Sequence, residues 1–126
     1  GIAVRGRMMD LVREGLYEGI TPSFALDDLK PGDKVTVAGL VAVRQSPETA
    51  KGFVFHTLED DYGLMNIITK PALVREKRWR RFIENAPALI VHGHVEREQR
   101  SVNVIAESFE ELRIMSDAEK RVHNFG

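Results

Sequence analysis

From Lys34 the apolar residues of this chain fall at every second position, so that Val35, Val37, Gly39, Val41 and Val43 share one side of any extended backbone. A period of two is the signature of a β-strand with one face buried. Gly39 in the middle of the run suits a sharply coiled strand, where a neighbouring backbone leaves no room for a side chain. The pattern then recurs. After a polar loop containing Pro47, residues 52–58 resume as a second strand. Glu59-Asp60-Asp61-Tyr62-Gly63 reads as a hairpin turn with Gly63 expected at a positive φ, and residues 64–69 form a third strand.

At Pro71 the period changes. Ala72, Trp79, Phe82, Ile83 and Ala86 fall within one third of the circumference of a helix at about 100° per residue, and Asn85 and Pro87 end it. Residues 88–96 then alternate as a fourth strand, with Leu89, Val91, Gly93 and Val95 on one side and Ile90, His92 and His94 on the other. A polar turn through Gln99 and Arg100 leads to a fifth strand over 102–109. Three strands, a helix and two strands is the layout of an OB-fold, a mainly β, five-stranded Greek-key barrel whose second and third strands carry an oligonucleotide-binding face.

Ahead of the barrel, Val4, Met8, Leu11, Val12 and Leu16 predict an amphipathic helix over 4–16. Thr21-Pro22-Ser23 predicts a short helical turn through Leu26 and Leu29, with Thr21 as its cap, stopped by Lys30-Pro31-Gly32-Asp33. The predicted organisation is a helical preface over 1–32, the barrel over 33–112 and a polar tail over 113–126. A chain of 126 residues, 43% of them hydrophobic, suits one modest core. It starts at Gly1 without an initiator Met and reads as a piece of a longer protein.

Charge and composition exclude several classes. The formal net charge of -1 argues against a uniformly basic nucleic-acid coat, which makes local placement decisive. The absence of cysteine rules out disulfides and thiolate zinc sites and fits a reducing, cytoplasmic setting. No apolar run approaches the ~20 residues of a membrane span, so no membrane association is expected. His92 and His94 lie two apart on a strand, but no third metal ligand accompanies them. Glu59, Asp60 and Asp61 are read as turn residues rather than magnesium ligands. No nucleophile, phosphate loop or acid–base pair stands out, so no catalytic residue, metal or cofactor is predicted.

The candidate binding residues flank the second strand. Phe53, Phe55 and Thr57 share one face and Val54, His56 and Leu58 the other. If the second set is core, the rings face outward, where bases can stack on them. If not, they pack in the core or under the first helix, and alternation alone leaves both open. Arg44 and Asn66 are expected to flank the rings with hydrogen bonds to bases or phosphate, and Lys51 adds charge in the adjoining loop. A second candidate is the stretch from Lys70 to Glu84, where Lys70, Arg75, Lys77, Arg78, Arg80 and Arg81 face only Glu76 and Glu84. Lys77, Arg78, Arg80 and Arg81 lie off its apolar stripe, free to follow a phosphate backbone or simply to be solvated, and Lys77, Arg78 and Arg81 are taken as the candidate binding residues among them.

The run Val43-Arg44-Gln45, Pro47, Thr49-Ala50-Lys51-Gly52, Phe55, Thr57-Leu58-Glu59-Asp60, Gly63 and Asn66 resembles the OB domain near the C-terminus of bacterial C-family DNA polymerases, the alpha subunit of DNA polymerase III, and most closely the error-prone branch. Val4-Arg5-Gly6-Arg7-Met8-Met9 resembles the segment leading into that domain. His56 stands where that family usually has an apolar residue, and no aromatic residue precedes Pro71. The resemblance implies a module that binds single-stranded template DNA in replication or error-prone translesion synthesis and has no polymerase activity by itself, because the family's catalytic aspartates lie in another domain. It implies the remainder of the polymerase chain as a partner, and possible contacts with a sliding clamp, a single-strand-binding protein or translesion accessory proteins. Two alternatives are a protein-interaction OB module and a tRNA anticodon-binding domain. In the second, Phe55 is the stacking ring and Asn66 the base-reading amide.

Overall fold

A computed structural model describes residues 19–112. The predicted helix over 4–16 and the polar tail lie outside them. Five strands close a barrel: β1 (Lys34–Gln45), β2 (Val54–Glu59), β3 (Leu64–Thr69), β4 (Ala88–Glu98) and β5 (Ser101–Glu111), in the order β1-β2-β3-β5-β4 with β4 paired back onto β1. All pairs are antiparallel except β3–β5. The interior holds Val35, Val37, Leu58, Met65, Ile67, Leu89, Val91, Val95, Val104 and Phe109; alternation assigns the β1 and β4 members to it, while an irregularity in the β4–β5 pairing lets both Val104 and Phe109 point inward. A smaller apolar cluster of Ala38, Ala88, Ile90 and Leu112, with Ile20 and Leu40 against it, covers the outside of β1 and β4.

Closure explains two glycines. A Cβ on Gly39 would lie 2.8 Å from the Glu59 carbonyl oxygen, and one on Gly93 would lie 2.0 Å from that of Ile105. Neither gap can hold a side chain.

Four expectations are corrected. A β-bulge between Val41 and Val43 shifts the register of β1. Val41 still pairs with buried Leu58, but Val43 pairs with Thr57 and stands 45% exposed, so the inward run ends at Val41. The helix predicted from Pro71 is broken into α1 (Pro71–Val74), a 3₁₀ turn (Lys77–Trp79) and α2 (Arg80–Glu84). Leu73 and Val74 lie off the stripe of a straight helix yet pack on the core beside Trp79 and Phe82, and extended Glu76 (ψ 120°) lets both pieces face it. The turn over Ser23–Asp28 forms, but its cap is not Thr21. The Asp60 carboxylate accepts from the Ser23 N–H (2.7 Å) and hydroxyl (2.6 Å). Finally, Gly63 does not take a positive φ. The hairpin is held by Asp60, whose Oδ1 accepts from the N–H groups of Tyr62 (2.9 Å) and Gly63 (3.0 Å). Asp60 is therefore more than a turn residue: at 4% exposure it ties the preface to the barrel.

Candidate nucleic-acid interface

The parity of β2 settles the direction of its rings. Val54, His56 and Leu58 are buried, so Phe53, Phe55 and Thr57 face outward, half-exposed. The rings of Phe53 and Phe55 are nearly parallel, at 11° and 6.3 Å between centroids. Their spacing follows from side chains two apart on one strand face. Across the β2–β3 ladder Phe55 pairs with Ile68 and Thr57 with Asn66, which puts Asn66 and Ile68 on the same outer face. The parallel β3–β5 ladder extends this face with Asn103 beside Asn66 and Ile105 beside Ile68. On the other side the bulge in β1 brings Gln45 opposite Phe55.

Two clefts run over this face. One, of about 420 Å³, is lined by Gln45, Phe55, Thr57, Asn66, Glu98 and Asn103 among others. The second, of about 470 Å³, runs past Lys51, Phe53, Phe55, Ile68 and Glu98. Phe55, Ile68 and Glu98 border both, so the two form one continuous groove. It is walled by the β1–β2 loop, where Lys51 takes a left-handed φ of 45°, and by the β4–β5 turn, where Gln99 does so at 55°. Half-exposed aromatic rings surrounded by amides and a hydroxyl can stack bases and hydrogen-bond their edges.

Arg44 is not on this face. The bulge that turns Gln45 toward the groove pairs Arg44 with His56 on the other side of the strand, where Arg44 stays exposed at the barrel end. Its Nε–H donates to the Ile83 carbonyl (2.7 Å) and its Nη2 to that of Ala86 (2.8 Å), so it fastens the end of α2 to β1. His56 is 1% exposed, and its Nε2 lies 2.9 Å from the Ile83 carbonyl. A carbonyl only accepts, so Nε2 carries the proton, while Nδ1 has no partner. Burial pushes the His56 imidazole below its ordinary range, and neighbouring Arg44 adds to this against the Ile83 hydrogen bond.

Lys77, Arg78 and Arg81 lie exposed at the end of the barrel, on a segment apart from the groove. The Arg78 guanidinium stacks on Trp79 and that of Arg81 on Phe82, each 4.7 Å from the ring centroid. Trp79 and Phe82 pack on Phe109 in turn. His92 and His94 face outward on β4, paired with Glu110 and with Glu107 (2.6 Å). Among the described residues no three such side chains gather as a metal requires, and no helix is long and apolar enough to cross a membrane.

The family model described as an OB-fold nucleic acid binding domain matches residues 26–112, all five strands of the barrel and most of the chain. The chain belongs to this OB-fold family. The OB domain also has close sequence relatives. The chain is 40% identical over 126 residues to an error-prone DNA polymerase of Anaeromyxobacter dehalogenans, covering 99% of this chain and 11% of that protein. It is 45% identical over 97 residues to one of Caulobacter vibrioides, covering 75% of this chain and 8% of that protein. The resemblance read from the central motif is thus borne out, and the chain spans about a tenth of the length of these relatives. Among solved structures, the OB domain superposes on an asparaginyl-tRNA synthetase of Pyrococcus horikoshii with a TM-score of 0.66 at 19% identity, over 80% of this chain and 24% of that one. At that identity the likeness concerns the fold alone.

Of the eight residues singled out from sequence, the OB face unites Lys51, Phe53, Phe55 and Asn66. Arg44 goes to the barrel end, and Lys77, Arg78 and Arg81 to a separate basic segment. Gln45, Ile68, Glu98 and Asn103 escaped notice. No local pattern signals them, because the bulge and the parallel β3–β5 pairing bring them together from four different strands.

Proposed function

We propose that the groove over β2 and β3 binds single-stranded DNA, and that this domain serves a polymerase of the DNA polymerase III alpha type by holding template strand in replication or error-prone translesion synthesis. The observation that carries the reading is the parallel pair Phe53 and Phe55, half-exposed on the outer face with Asn66 one strand away. Two rings in series are a platform for successive bases, and stacking tolerates every base. The error-prone polymerases among the relatives support DNA as the ligand and the rest of such a chain as the first partner. A clamp, a single-strand-binding protein or a translesion accessory protein would bind elsewhere on the surface.

Titration with an oligothymidylate is the test. Log affinity is expected to fall with log salt by about 0.7 per phosphate contact. Phe55→Ala is expected to weaken binding by about 1–3 kcal/mol. Binding indifferent to both salt and Phe55 would remove the reading. Preference for an anticodon stem-loop over single-stranded DNA would replace it with tRNA binding, and chemical-shift changes on adding a short oligonucleotide that are confined to β4 and β5 would favour a protein-interaction module.

A further inference from the structure

Charge is divided sharply between the groove and the barrel end. The polar lining of the cleft around Phe55 is made of amides, the hydroxyls of Thr57 and Ser101, buried His56 and the carboxylate of Glu98, with no lysine or arginine. A carboxylate there repels phosphate but tolerates base edges, whose amino groups it can accept from. The first cation along the groove is Lys51, in the β1–β2 loop. Beyond it the loop rests on the start of the basic segment: a Cβ at Gly52 would lie 3.3 Å from that of Pro71. Lys70, Arg75, Lys77, Arg78, Arg80 and Arg81 follow, all exposed.

Such crowding of like charge is not there for stability, since neighbouring like charges destabilise a helical turn. Nor is it neutralised. Glu76 holds Arg78 at 3.1 Å, but among the described residues no ion pair holds Arg75, Lys77 or Arg80. The segment is also fixed in place. Arg44 clamps its end through two carbonyls, and the Trp79, Phe82 and Phe109 rings anchor its apolar side. Cations held on a rigid shelf bind a polyanion without first having to be ordered.

We infer that the segment from Lys70 to Arg81 is a second, sequence-neutral site for phosphodiester backbone, continuous with the groove through the Lys51–Gly52 loop. The strand lays its bases on Phe53 and Phe55, then crosses the loop so that the following phosphates run along the basic segment. This rests on the groove reading and adds a path and a larger site size to it.

The two are separable by ligand length. A thymidine tetranucleotide is expected to be held by the groove alone, and a dodecanucleotide by groove and segment together, since OB-folds occupy roughly 4–16 nucleotides. In the triple variant Arg75→Gln/Lys77→Gln/Arg80→Gln, tetranucleotide affinity is expected to stay at the parent value. The dodecanucleotide should lose its advantage, and its salt slope should become shallower by about 2, at 0.7 per lost contact. The double variant Arg75→Lys/Arg80→Lys should keep the parent slope, because a point charge suffices for phosphate; it also controls for folding, which thermal melts of both variants would follow. A triple variant that binds both oligonucleotides as the parent does would overturn the second site and leave the groove intact. Loss of tetranucleotide binding in the parent itself would instead count against the groove.

Discussion

His56 is the residue whose chemistry is most at odds with its surroundings. An imidazole in the barrel interior can hydrogen-bond through one nitrogen to Ile83, and its other nitrogen has no partner. Burial keeps it neutral by holding its affinity for a proton below the ordinary 6.5. The sign of the consequence follows from linkage. The unfolded chain takes up a proton near 6.5 that the folded chain resists, so the stabilisation is complete above that pH and lost as pH falls through the window below it. His56→Leu is expected to flatten this dependence. In urea unfolding followed from about pH 7 to about pH 5.5, the parent midpoint should fall while that of the variant stays nearly level. Glu107 also contributes, but in a lower window. Its carboxyl is held below the ordinary 4.5 first by Lys34 and then by His94, so its share is lost only as pH falls below that value.

At the scale of elements, the bulge in β1 has the widest effect. One extra residue between Val41 and Val43 reverses which side chains face out, giving Gln45 to the groove and Arg44 to α2. Arg44 thereby becomes a fastener between a strand and a very short helix. Helices of four and five residues cannot persist alone, since nucleation outweighs so few hydrogen bonds. Their place depends on the aromatic packing and on this arginine. Arg44→Ala should therefore lower unfolding free energy by about 2 kcal/mol, the usual scale for hydrogen bonds to a charged donor. Tetranucleotide affinity, measured well below the melting temperature, should not change, because the side chain does not reach the groove. A variant with native stability and lost affinity would return Arg44 to the binding face.

At the scale of the whole molecule, the described residues form a sheet closed on itself, and β4 completes it by pairing with both β1 and β5. Gly93 sits in that double ladder, where a methyl group would meet the Ile105 carbonyl oxygen at 2.0 Å. Gly93→Ala is expected to prevent closure, seen as loss of the cooperative thermal transition; a variant that melts as the parent does would mean that β5 can move aside. The alternation of Val35 and Val37 in β1 and of Leu89, Val91 and Val95 in β4 specified strands and the inward faces of these two, and the succession of periods gave the OB order, because a buried face imposes its period on the chain locally. The central motif was enough to name the relatives. Tertiary structure alone decided the rest. The bulge, the break at Glu76, the Asp60 cap on Ser23 and the meeting of Asn66 with Asn103 all depend on backbones or side chains distant in sequence. Phe53 and Phe55 were legible as a pair from their spacing. That they face outward, beside Asn66 and away from Arg44, was settled only when closure chose the inside of the barrel.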